Sequence, residues 1–471
     1  MSSCDIILRR SSKKTTQSGV PIVGSEQYHY PLSGDYAREP VPASSRRHWL
    51  SLSLIWIGGG IDLAGILLGT QIGLGMSFEQ AMIATFVGSL ILAVVGALTC
   101  YVGSETGMST AMLTRFVFGE YGARIASLII GITGIGWFGV QTGFFAVSGQ
   151  LIFKELAGID VSLPVAALVG GLLMMSTAVI GYKAIEWLSI IAVPLMFGIL
   201  IGVLIVVIPT QSFWEAVQVE PVADKIPLGM ATSLVTSLFL VGAIAAPDIG
   251  RWARTKKDSI LAAVVGFFVG NSLMLVIAVI IAKYTSNAEF IKVMFGIGWG
   301  GLAAILFVLG TWTTNDNGLY STGLALSVAL HRWSRPTLVI VAGLIGTALA
   351  VLNIYDSFIT FLTILSAFVS PIGGIFIAEY YLLNRHRFTM TFVQNKRIPL
   401  LYWHAIAVWV LATLVGLATS PASEGGFELF QLTQIPALDA FLAAFLLQWL
   451  IGGFLKRYDA KKAEKPEKSA G

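Results

Sequence analysis

Apolar residues in this chain fill whole runs instead of alternating or recurring on one helical stripe. Runs near the roughly 20 residues that carry a helix across a bilayer lie at 49–75, 79–101, 123–151, 163–181, 186–209, 229–248, 259–283, 299–328, 337–354, 357–383, 401–419 and 435–455. Only helices or closed barrels satisfy their backbone in lipid, and runs of this length are helical. The pattern therefore predicts an all-α polytopic membrane protein with 12 transmembrane helices. A polar tail (1–48) precedes them and a basic tail (456–471) follows. The spans group as 49–209, 229–383 and 401–455 within one domain, 49–455.

The loop charges test that count. An even number of spans puts both tails on one side. The outer loops then hold Lys154, Lys225, Lys283 and Lys292, whereas basic residues crowd the opposite loops, from Arg115 and Arg124 to Lys396 and Arg397. This positive-inside bias places both termini in the cytoplasm of a cell-membrane protein. The C-terminal run KRYDAKKAEKPEK reads as a solvated tail near anionic lipid.

Two spans interrupt the apolar pattern in matched places. The first reads IWIGGGIDLAGILLG, with Gly58, Gly59, Gly60 and Asp62 inside it. Glycine weakens a helix, and irregular backbone at membrane depth survives only where protein buries it or it lines a cavity. Gly58–Gly60 would supply a break that frees carbonyls, with Asp62 just past it. Five spans later, SLVTSLFLVGAIAAPDIGRW carries Gly242, Pro247 and Asp248. Paired breaks in spans one and six fit a five-plus-five inverted repeat, the architecture of many secondary transporters.

The eighth span holds the densest polar stretch, LGTWTTNDNGLYSTG. Gly310, Thr313 and Thr314 share a helical face. A carbonyl and two hydroxyls there, completed by carbonyls of the broken span, make a candidate sodium site. Asn315 and Asn317 offer amides to a substrate. In the third span, Trp137 and Gln141 share a face within GITGIGWFGVQTGFF. An indole plate beside an amide suits a flat, hydrogen-bonding ligand, and Phe239 of span six could close the other side of the plate.

Composition narrows the function classes. Hydrophobic residues make up 55% and charged residues 12%, against about 25% charged in soluble proteins. A formal net charge of +4 gives no nucleic-acid footprint. Two cysteines, Cys4 and Cys100, do not make a disulfide framework, and no secretory signal peptide precedes the first span. No zinc-binding histidine pair, Gly-x-Ser-x-Gly elbow or phosphate loop marks an enzyme, and no cofactor is called for. A channel would need neither paired breaks nor an aromatic sandwich. Nothing in the pattern selects an oligomeric state.

The stretches TGMSTAMLTRFVFG (106–119), GIGWFGV (134–140), LSIIAVP (188–194), GFFVGNSLM (266–274), WTTNDNGLY (312–320) and FLTILSAFVSPIGGIFIAEYYL (361–382) run in order through the membrane region. On them the chain resembles the nucleobase–cation symport (purine/cytosine permease) family, and within it the bacterial cytosine permeases. The resemblance implies a leucine-transporter-type fold, two inverted five-helix repeats plus two C-terminal helices. It implies import of a small planar heterocyclic base coupled to a cation gradient. It places Trp137 and Phe239 on either side of the base, and sodium on the carbonyls of Gly58, Ile61 and Gly310 and the hydroxyls of Thr313 and Thr314. Cytosine permeases carry glutamine where this chain has Gly134 and asparagine where it has Gly310. The hydantoin branch places a glutamine as Gln141 stands here, and Asp62 replaces an aromatic or amide.

The resulting expectation is a symporter for cytosine or a related pyrimidine or purine, driven by Na+ or H+. Asp62, Gln141, Asn315 and Asn317 would read the edge of the base. Asp62 is also the first candidate for proton coupling, with Asp316 and Asp248 behind it. A hydantoin, allantoin or thiamine-precursor pyrimidine is the alternative cargo.

Overall fold

A chain in hydrocarbon must satisfy its own backbone, and this one does so with helices. The computed structural model describes residues 36, 39–210, 212–222, 225–287, 289–395 and 398–463. The tail residues Cys4, Arg9, Arg10, Lys13 and Lys14, the loop residues Lys396 and Arg397, and the chain beyond 463 lie outside them. Among the described residues there is no strand, only an isolated bridge between Arg47 and Ala253.

The first span is two helices, Trp49–Gly60 and Leu63–Gly75, bent by 60°. Phe78–Thr106, Thr110–Ala157, Leu163–Ile180 and Tyr182–Val207 follow as spans two to five. Leu228–Ile244 is the sixth, continued by the single turn Pro247–Gly250. The seventh runs from Lys256 to Thr285 through a π-helical turn, Val264–Gly270. Gly300–Ala329, Arg335–Val351, Phe358–Ala378, Trp403–Thr419 and Pro436–Ala463 complete the twelve. The third span packs along the eighth, the second along the sixth, and the second half of the first along the seventh.

Three sequence expectations move. The helix runs through Gly58–Gly60, and the break falls at Ile61–Asp62, where ψ rises to 79° and 169°. The glycines serve close approach instead: a Cβ on Gly58 would stand 3.0 Å from Val193, and one on Gly59 3.4 Å from the Asn317 amide. Gly242 likewise stays helical, and the sixth span ends at Ile244, three residues before Pro247 opens its own turn. The twelfth helix continues to Ala463, into what the sequence reads as tail.

Gly119 is where positive φ is required. At φ 80° it turns the segment Thr110–Phe118 into the body of the third span. A Cβ there would meet the Pro399 carbonyl at 2.6 Å, which is free to bond the amide of Glu120 at 3.0 Å.

At the end of the molecule where the chain enters, Tyr36 and residues 39–48 form a strap. Arg47 donates its amide to Trp252 O (2.5 Å) and accepts from Arg254 N (2.9 Å), while Val41 N reaches Gly107 O (2.9 Å). The fully buried Arg251 guanidinium donates to Tyr36 O at 2.7 Å and to the Tyr320 hydroxyl at 3.0 Å. Trp252 stacks on Tyr182, centroids 4.2 Å apart.

The second half of span one approaches span seven closely. A Cβ on Gly69 would lie 2.5 Å from that of Ala278, and one on Gly73 3.0 Å from that of Ala282. Small residues at this spacing let membrane helices touch backbone to backbone. Gly69→Leu is expected to destabilise the protein by about 1–3 kcal/mol through overpacking, read as a lower thermal midpoint in detergent. Gly198, exposed and with nothing within 4 Å of its Cβ position, is the control. Gly198→Leu should leave the midpoint unchanged.

Candidate functional site

The bend in the first span leaves the carbonyls of its last helical turn without intrahelical donors. The eighth span supplies them. Thr313 Oγ1 lies 2.8 Å from Gly58 O and 3.2 Å from Gly310 O, and Thr314 Oγ1 donates to Gly59 O at 3.0 Å. Ile61 O presses against the eighth span so closely that a Cβ on Gly310 would stand 2.7 Å from it. Of the groups expected to hold sodium, Gly58 O, Gly310 O and the Thr313 hydroxyl meet and Ile61 O lies beside Gly310, whereas the Thr314 hydroxyl turns to Gly59 O, which was not among them. Their chemistry, three carbonyls and two hydroxyls with no fixed charge, fits a monovalent hard cation at a helix break.

The other half of the break is capped by Asp62. Its Oδ1 accepts the amide of Gly65 at 2.6 Å, and its Oδ2 accepts from Gln141 Nε2. A capping carboxylate satisfies the free N–H groups of the half-helix it starts. Two residues expected to face a ligand therefore face each other. Both are buried, and neither borders the main cavity.

That cavity, with about 80 Å3 open to the centres of water molecules, lies between spans one, three, six and eight. Trp137 and Phe239 border it and are half-buried, and Gly134 and Asn317 border it as well. The Trp137 ring is backed by span ten, with Phe361 stacked at 6.1 Å and Phe358 at 6.2 Å. Thr314 reaches both this cavity and the break.

Asn315 lies elsewhere. Its Nδ2 points between spans three and four, 3.2 Å from Thr142 Oγ1 and 3.4 Å from Phe138 O. Asp316 is fully buried beside it. Asp248 accepts the amide of Thr110 at 2.8 Å and so fixes the start of the third span. The sequence reading missed Trp56, Ser321 and Thr322, which border the cavity. Helical spacing was the available signal, because 56 precedes 59 by three and 321 and 322 follow 317 and 318 by four.

Comparison with known proteins agrees with this fold. The profile of a family described as permeases for cytosine/purines, uracil, thiamine and allantoin matches residues 40–452. The cytosine permease of Escherichia coli (strain K12) is 33% identical over 384 residues, covering 82% of this chain and 88% of that protein. Among solved structures, Mhp1, a nucleobase-cation-symport-1 family transporter in a closed conformation with bromovinylhydantoin bound, superposes with a TM-score of 0.75. It is 19% identical and covers 89% of this chain and 95% of its own. A Na+-coupled sialic acid symporter in a substrate-bound outward-open state superposes at 0.64, with 12% identity and coverage of 87% and 90%.

Asp62→Ala removes the cap and orphans the Gln141 amide. The expected cost is about 2–4 kcal/mol, combining a lost cap with an unpaired buried amide, read by denaturant or thermal unfolding in detergent. Asp62→Asn should cost much less. Its oxygen still accepts from Gly65, and Gln141 Oε1, unpartnered among the described residues, can turn to accept from the new amide.

Proposed function

The chain belongs to the family of permeases for cytosine/purines, uracil, thiamine and allantoin, and we propose that it imports a planar base, cytosine or a related pyrimidine or purine, together with sodium. It is a multi-pass membrane transporter of the nucleobase symporter class and not an enzyme. The observation that carries the choice of cargo and ion is the shared wall of two sites. Thr314 borders the cavity that Trp137 and Phe239 flank, and its hydroxyl also bonds a carbonyl of the broken span.

In this reading the base lies between the Trp137 and Phe239 rings. Asn317 reads its edge with an amide that both donates and accepts. Sodium takes the carbonyls of Gly58, Ile61 and Gly310 and the hydroxyls of Thr313 and Thr314. Each hydroxyl turns its proton away and offers a lone pair. Binding then pulls spans one and eight together, which gives the ion a reason to favour the base-bound arrangement. Asn315, Asp62 and Gln141 act from behind the pocket wall. Transport rocks spans three, four, eight and nine against spans one, two, six and seven, with both termini in the cytoplasm and the basic tail near anionic lipid.

A hydantoin is the second reading of the cargo. It is favoured by the solved fold neighbour that holds bromovinylhydantoin.

Radiolabelled cytosine uptake into vesicles, under a sodium or a proton gradient, tests the core of the proposal. Sodium-driven uptake is expected, and Thr314→Ala should raise the sodium needed for half-maximal uptake by about tenfold, one lost ligand's worth. Proton-driven uptake indifferent to sodium would overturn the cation site and move coupling to Asp62. Trp137→Ala should weaken the base by about 1–3 kcal/mol, roughly ten- to hundredfold in affinity, measured by competition with unlabelled bases, hydantoin and allantoin.

A further inference from the structure

Gly134 faces Thr322 across the cavity wall between spans three and eight. A Cβ built on Gly134 would overlap Thr322 Oγ1 and stand 3.1 Å from its Cβ and 3.5 Å from its Cγ2. A side chain at 134 fits only if Thr322 shifts, and Thr322 is 2% exposed. Both residues border the cavity, one helical turn from Trp137 along span three and from Gly318 along span eight.

Oγ1 of Thr322 donates its one hydrogen to Gly318 O at 2.8 Å. While that bond holds, the oxygen has lone pairs left to offer. The Gly134 wall adds no side chain. Where the two meet, the cavity wall therefore presents an acceptor, whereas Asn317 and Ser321 elsewhere on it can donate as well.

We propose that Thr322 is a specificity-determining residue of the base pocket, forming one unit with Gly134 and selecting bases that turn an N–H toward it. The proposal rests on the base-pocket reading above. A ring N–H or an exocyclic amino group is accepted on this flank. A ring nitrogen lone pair or a carbonyl there meets another lone pair and is rejected, because a buried polar group left unpaired costs more than a pair gains.

The test uses the full-length protein in detergent and reads binding by ligand-induced thermal shift. The probes are cytosine, uracil, hydantoin and N-methylated forms of each. Wild type is expected to favour the parent bases over the forms methylated at the nitrogen that meets Thr322. Thr322→Val keeps the shape and removes the oxygen, and should reduce that preference by about tenfold. Gly134→Ala alone should lose at least about tenfold in affinity through the clash with Thr322. Gly134→Ala with Thr322→Ala should recover binding to the level of Thr322→Ala alone, which also shows that any further defect of the single variant comes from this contact. Full binding by Gly134→Ala, failure of the double variant to recover, or an unchanged preference in Thr322→Val overturns the proposal while the pocket reading stands. If wild type binds no planar base, the pocket reading falls and takes the proposal with it.

Discussion

At the bend in the first span, the carbonyls of Gly58 and Gly59 sit at membrane depth without helical donors, and the hydroxyls of Thr313 and Thr314 bond them at 2.8 and 3.0 Å. Left unpaired in hydrocarbon, each would cost several kcal/mol. Those two bonds hold span eight against span one, and the position of span eight in turn sets where Asn317, Ser321 and Thr322 meet the cavity. Broken backbone, helix packing and ligand space are consequences of one requirement, that no carbonyl be stranded in lipid.

The eighth span shows how a helix this polar survives. At 100° per residue its faces meet different partners. Gly310 and Thr313 meet the broken span, Thr314, Asn317 and Thr322 the cavity, and Thr311 bonds its own backbone at Phe307. Asn315 turns to Thr142, and Trp312 donates to Thr177 of the fourth span at 2.9 Å. The polar residues thus meet protein or cavity instead of lipid.

Much of this was legible in the order of residues. Hydrophobic runs gave the spans, because a bilayer demands length and apolarity that few other environments impose together. The cluster at 310–314 was legible because it is chemically out of place in a membrane helix, and Trp137 and Phe239, which border the cavity, were paired through the family resemblance. The break was misplaced by a few residues. A triple glycine marks either a weak helix or a close approach, and only the neighbours Val193 and Asn317 decide between them. The pairing of Asp62 with Gln141 and the turning of Asn315 away from the cavity depend on helix rotation, which a run of apolar residues does not encode. Thr322 was passed over for a further reason. Its importance lies in what it excludes from position 134, and an exclusion leaves no mark on the residue that causes it.

The strap over the entering end of the molecule has a property of a different kind. Beside the Arg251 side chain's bond to Tyr36 O, its join to the segment after span six has two main-chain bonds, Arg47 N to Trp252 O and Arg254 N to Arg47 O. Every residue except proline carries the same N–H and C=O. Such a fastening tolerates exchange of the side chains along it and fails only to proline, a shift of register or a deletion. The side chains there, Arg47 with its ion pair to Glu186 among them, are therefore free to be tuned by mutation without the fastening itself being lost.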